Sequence, residues 1–289
     1  NLQTGAKVPV IAQSQSPADG NGVVGPPRLM AVGGGDVLLL DAFNSLWRWH
    51  PAAGDTTGRG SLLRVNIPDN ANWGVGARAI GTFVINEAKN LYNFYIVLPS
   101  QQQVVKYPPA NDGSSYPKDG KAMYLAVGQD VSAIDDMYVD AYVYLVDKGK
   151  VTEYEMGQAV SGWRPDPPPD ALLRPKGPHY VRLTADDSRK GQGTFYAYDN
   201  LNRRVVAFKK ADGTIVGQYM VPPTAPWFTA LTGLFVVPGT NGASPTLYWT
   251  EAGSLMSATL APTSTATPST SGSAKPSTSN GSAGASASH

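Results

Sequence analysis

Apolar runs of four or five residues recur along the chain, each followed by a run in which apolar and polar positions alternate. The pairs occupy residues 37–41 and 46–49, 95–99 and 104–107, 143–147 and 151–154, 195–199 and 205–208, and 247–251 and 255–258. The second runs open on Leu46, Val104, Val151, Val205 or Leu255 and reach Trp49, Tyr107, Tyr154, Phe208 or Ala258 at their fourth position. Their third position is Arg48, Lys106, Glu153, Ala207 or Ser257. A period of two among β-formers predicts half-exposed strands. The first runs are more evenly apolar, which places them nearer the middle of a sheet. Asp41, Pro99, Asp147, Asp199 and Glu251 open the turns between the two runs.

A further strand is expected before each pair, at residues 29–32, 79–85, 134–139, 180–183 and 231–237. Another follows each of the first four pairs, at residues 62–67 and 122–126, near Leu172 and Leu173, and at residues 215–220. Four strands in each unit of roughly 50 residues, repeated, predict an all-β fold, a β-propeller. Five blades use every segment if the spare strand at residues 8–12 completes the last blade and closes the ring. Six would require a degenerate blade within residues 1–28. The chain thus divides into an N-terminal arm with its closing strand (1–28), a propeller (29–261) and a tail (262–289).

The stretch from residue 193 to 218 resembles an NHL-type propeller repeat. It runs from Thr194 through Asp199, a polar turn from Asn200 to Arg204, a strand ending on Phe208, then Asp212-Gly213 and a last strand. The other four units match this pattern more loosely. The segments at residues 38–49 and 130–153 are similar to propellers of exported or cell-surface proteins of filamentous bacteria, some of which are joined to serine/threonine kinases or phosphatases. No kinase or phosphatase motif occurs here, so the resemblance implies only the binding module.

Composition narrows the possibilities. Glycine (31) and proline (24) are abundant and charged residues make only 16% of the 289, which argues against a mainly helical protein. The net charge of +1 comes without a basic stripe, so no nucleic-acid partner is expected. The absence of cysteine excludes disulfides and thiolate metal sites. No apolar run approaches the ~18 residues of a membrane helix, so no membrane insertion by this chain is expected. Residues 262–289 are almost entirely Ser, Thr, Ala, Gly and Pro, the composition of a linker or an O-glycosylated stalk. Thr263, Thr265, Thr267, Thr270, Ser277 and Thr278 are the candidate glycosylation positions.

Candidate chemistry is sparse. Asp41, Asp147, Asp199 and Glu251 recur at one place in four units; they could hold Ca²⁺, or cap their own turns. The adjacent pairs Asp135-Asp136 and Asp186-Asp187 could work as acid and base, but neighbours on a strand point to opposite faces. His50 and His179 share no ligand spacing. Neither a nucleophile elbow nor a phosphate loop is present; Gly33-Gly34-Gly35 reads as a tight turn. Trp73, Trp163 and Trp227 lie outside the strand pairs and are candidates, with His179, for contact with a protein or sugar; packing between blades is the alternative.

The expected function is therefore non-catalytic, with no cofactor and no metal: an extracellular or cell-surface module that binds protein partners or copies of itself, or a cell-surface glycan. One alternative is the sensor or ligand-binding domain of a larger signalling protein. Another is a lactonase- or lyase-like enzyme with a central divalent ion, which would need Asp130, Asp135, Asp186 and Asn86 to converge.

Overall fold

A computed structural model describes residues 24–54, 60–73, 76–168, 177–187, 189–221, 224–239 and 243–260. They form five antiparallel sheets arranged as a five-bladed propeller, with only short 3₁₀ turns besides. Blade 1 comprises β1 (Pro27–Gly33), β2 (Asp36–Asp41), β3 (Leu46–Pro51) and β4 (Gly60–Val65). Blade 2 comprises β5 (Ile80–Asn86), β6 (Leu91–Leu98), β7 (Gln103–Tyr107) and β8 (Ala122–Met123). Blade 3 is built from β9 (Ile134–Val139), β10 (Val143–Asp147), β11 (Lys150–Glu155) and β12 (Gln158–Ala159). Blade 4 is built from β13 (Tyr180–Ala185), β14 (Thr194–Asp199), β15 (Arg204–Lys209) and β16 (Ile215–Met220). Blade 5 has three strands among the described residues, β17 (Leu231–Val237), β18 (Thr246–Glu251) and β19 (Ser254–Thr259). The spare strand at residues 8–12 lies outside the described residues, as do the tail and its six candidate glycosylation positions.

The even hydrophobicity of the second strands follows from their place between two neighbours. All eight residues of β6 are buried. Tyr92, Phe94, Ile96 and Leu98 pack toward blade 1, against Leu38, Leu40 and Leu46. Tyr95 and Val97 pack toward blade 3, against Met137, Val139 and Leu145. The same division holds in β14, where Phe195 and Ala197 face blade 3 while Tyr196 and Tyr198 face blade 5. Each such strand serves two interfaces, so polarity on either side would cost burial.

The outer strand of blade 3 departs from the sequence reading. Among the described residues it is the short Gln158–Ala159; the expected stretch near Leu172 and Leu173 lies outside the described residues. Met156 (φ 47°) and Gly157 (φ 81°) form a two-residue turn that folds the chain straight back onto β11. Such turns need positive φ at both central residues. The returning strand is polar and exposed, so hydrophobic periodicity does not reveal it. In blade 2 the expected outer strand shrinks to Ala122–Met123.

Candidate cleft between the first two blades

The propeller has two ends. At one, the hairpins β2–β3, β10–β11, β14–β15 and β18–β19 turn; at the other lie the β1–β2 and β5–β6 turns. The recurring acids belong to the first, the hairpin end. Asp41 Oδ1 accepts bonds from the Phe43 and Ser45 amides (2.8 and 2.9 Å), and its Oδ2 accepts from the Gly25 amide and the Trp47 indole (3.1 and 2.8 Å). Asp199 accepts from the His179 and Asn202 amides and from Arg204 Nε at 2.9 Å. Glu251 accepts from the Phe228, Thr229 and Ala230 amides and from the Thr229 hydroxyl. Gly25, His179 and Phe228 all precede the first strand of their own blade, so the acid fastens the entry of each blade to its hairpin. Asp147 lacks this role: its Oδ1 has no hydrogen-bond partner. Among the described residues no three His, Cys, Asp or Glu side chains are grouped to hold a metal.

The other candidates separate in the same way. Trp73 and Trp163 are interior: Trp73 donates to the Tyr107 hydroxyl at 2.7 Å and Trp163 to the Lys210 carbonyl at 2.8 Å. Both fill space between blades, the packing alternative, because an indole with its N–H satisfied is stable in an apolar core. Trp227 is 40% exposed, and its carbonyl accepts from Arg203 at 2.5 Å. His179 Nδ1 lies 3.1 Å from Asn200 Oδ1. Trp227 and His179 therefore both contact the polar turn of blade 4, at the hairpin end. The carboxylates of a central ion site do not converge. Asp130 pairs with Lys148 at the hairpin end, while Asp186 accepts from the Thr194 amide and Asn86 from the Lys89 amide near the other. Asp136 bonds the Leu183 and Met137 amides, while its neighbour Asp135 stays exposed.

The opposite end carries a cleft of about 220 Å³ between blades 1 and 2. It starts from the glycine turn. A β-carbon at Gly34 (φ 57°) would lie 1.9 Å from Asn90 Oδ1, so glycine is needed for Asn90 of blade 2 to approach. Asn90 Oδ1 then accepts from the Gly35 amide at 3.2 Å. Asp36, the next residue, stands beside His50 across the β2–β3 ladder and is 1% exposed. Its Oδ1 lies 2.5 Å from His50 Nδ1, and its Oδ2 accepts from the Tyr92 hydroxyl at 2.8 Å. Arg48 Nε is 3.9 Å from the same carboxylate, and Arg48 Nη1 donates to the Gly113 carbonyl at 2.7 Å. Burial and the Asp36 charge push the Tyr92 phenol well above its usual range, keeping it a neutral donor. Ser61, Leu63, Lys89 and Asp112 complete the lining. The sequence named His50 without its partners. The available signal was Asp36 itself, an acid at the start of an otherwise apolar strand.

Two buried acids set a pH dependence for the fold. Burial pushes Glu153, which faces Tyr144 across the β10–β11 ladder, up to about 7, and Asp136 up to about 6. The unfolded chain ionises both near pH 4, so stability falls as pH rises from about 4 to 7 and levels off above. At Glu251 burial alone would raise the value, but the hydroxyl and amide bonds outweigh it and hold it at about 2. Its contribution is present above the usual carboxylate range and lost as pH falls toward 2. Glu153→Gln is expected to flatten the fall between pH 4.5 and 7, seen as urea midpoints at pH 5 and 8 that differ less than in the parent. An unchanged difference would contradict this account of Glu153.

No protein-family model matches the chain, and no curated protein matches it. Solved structures with a similar arrangement include a chain of the nidogen/laminin complex, at 12% identity over 81% of this chain and 76% of that one, with a TM-score of 0.49. Glutaminyl cyclase of Myxococcus xanthus is similar at 12% identity over 81% and 91%, with a TM-score of 0.43. Hydrazine synthase of Kuenenia stuttgartiensis is similar at 14% identity over 83% and 58%, with a TM-score of 0.42. A propeller fold hosts unrelated functions and alone does not decide whether this chain is a catalyst. No helix among the described residues is long and apolar enough to cross a membrane.

Proposed function

We propose that the chain is a partner-binding propeller of NHL type, carried by an exported or cell-surface protein of a filamentous bacterium, with residues 262–289 as a glycosylated stalk. Binding takes place at the cleft end. One observation carries this reading: the Asp36–His50 cleft sets half-buried Arg48 and exposed Lys89 and Ser61 beside a buried carboxylate, while Asp41, Asp199 and Glu251 at the hairpin end are consumed in fastening their own blades. Near-neutral net charge and the Ser/Thr-rich tail fit such a setting. The cleft has room for one small chemical group, which favours ligand sensing as the second reading. His179 and Trp227 are the candidates for a secondary contact at the hairpin end.

The test is the mass and shape of the full chain purified natively from its source, by light scattering and electron microscopy. A defined complex or regular polymer is expected. A lone particle whose glycan-corrected mass is 30.5 kDa would overturn the reading.

A further inference from the structure

We propose that the cleft between blades 1 and 2 takes up a monocarboxylate together with one proton. The proposal rests on reading this end as the binding surface and names the chemistry it would recognise. Four elements bring charge to the cleft: β2 with Asp36, β3 with Arg48 and His50, the β5–β6 turn with Lys89, and the β7–β8 connection with Asp112. Tyr92 of β6 faces Asp36 as a neutral phenol. With a neutral imidazole, the two cations balance the two carboxylates. An added anion therefore leaves an uncompensated charge unless His50 gains a proton.

The geometry favours that proton. Asp36 is 1% exposed, and its Oδ1 lies 2.5 Å from His50 Nδ1. A buried carboxylate at this distance holds the hydrogen on Nδ1, which leaves Nε2 as the ring nitrogen open to a further proton once an anion enters. His50 is 55% exposed, so an incoming group can reach it. Donors are available for the ligand. The half-buried Arg48 side chain lines the cleft, and its Nε beside Asp36 has no hydrogen-bond partner. Lys89, the Ser61 hydroxyl and the Asn90 amide line the same space. A phosphate monoester carries roughly −1.5 to −2 charges near neutrality, more than one added proton offsets. A single carboxylate matches it.

The test is calorimetric titration of the full chain with glucuronate, N-acetylglycine, glucose or inorganic phosphate, in two buffers of different ionisation enthalpy. Glucuronate stands for an acidic sugar and N-acetylglycine for a peptide C-terminus; whichever binds more tightly identifies the source. At least one carboxylate is expected to bind with uptake of up to about one proton, and its affinity is expected to fall by up to tenfold per unit of rising pH. Glucose is expected not to bind. His50→Gln should abolish proton uptake and pH dependence, whereas Lys89→Met should weaken binding several-fold and leave uptake in place. Circular dichroism and melting confirm that each variant is folded. Silence with both carboxylates at tens of millimolar, binding without proton uptake, or tighter binding of phosphate would each overturn the proposal. If the native complex forms through the cleft end while no carboxylate binds, the proposal fails and the partner-binding reading stands.

Discussion

Lys210→Met is expected to destabilise the fold by about 3–5 kcal/mol, because it leaves a buried carboxylate without its cation. Lys210 and Asp140 are both fully buried, with Nζ 2.6 Å from Oδ2. The ammonium also donates to the Asp187 and Arg189 carbonyls at 2.5 and 3.0 Å. One side chain at the end of β15 thereby holds the β9–β10 turn of blade 3 and the β13–β14 loop of its own blade. Methionine conserves the volume and removes all three bonds. Denaturant unfolding of the variant measures the loss. Adding Asp140→Asn to it should recover part of the stability, since the isolated charge is gone. A loss below about 1 kcal/mol in Lys210→Met would show that the pair is hydrated and holds nothing.

Trp73→Ala is expected to cost a similar amount, about 3–5 kcal/mol, by opening a cavity between blades 1 and 2. Trp73 is fully buried, and its ring centroid lies 6.0 Å from that of Phe94 and 5.9 Å from that of Tyr107. Its indole opens a chain of bonds: Trp73 to Tyr107, Tyr107 to Asp69 at 2.8 Å, and Lys121 to Asp69 at 2.6 Å. Trp73→Phe keeps most of the volume and breaks the first link, so its cost should be nearer 1 kcal/mol. Trp227→Ala, at an exposed position, should lie within about 0.5 kcal/mol of the parent. Equal effects at positions 73 and 227 would contradict the placement of Trp73 as core.

These two side chains mark what a single sequence does and does not disclose. The blades were legible because each central strand lies between two neighbours and shows it: β6 and β14 supply apolar side chains to the cores on both sides, with Asn93 and Asp199 their buried polar exceptions. Strands with little to bury were not legible, as at Gln158–Ala159, where a positive-φ turn and not hydrophobicity specifies the pairing. The acids of the hairpins could be read as turn residues, yet their bonds to Gly25, His179 and Phe228 reach back about 16 to 23 residues, beyond any local pattern. The tryptophans divided by depth, which their Pro- and Gly-rich surroundings do not encode. The cleft was the least legible feature. Asp36 and His50 are neighbours only through strand pairing, Tyr92 is 56 residues from Asp36, and Arg48 bonds a carbonyl 65 residues away. Lys210 and Asp140, 70 residues apart, meet for the same reason.

The most direct test of the binding end is lysine cross-linking of the native complex, followed by mass spectrometry of the joined peptides. Lys89 lines the cleft, whereas Lys148 sits in the β10–β11 turn and Lys150 opens β11, both at the hairpin end. Partner peptides joined to Lys89, and lost when the cleft is altered by Arg48→Ala with His50→Gln, are the expected result. Partner peptides joined to Lys148 and Lys150 and never to Lys89 would place the interface at the hairpin end and contradict the assignment.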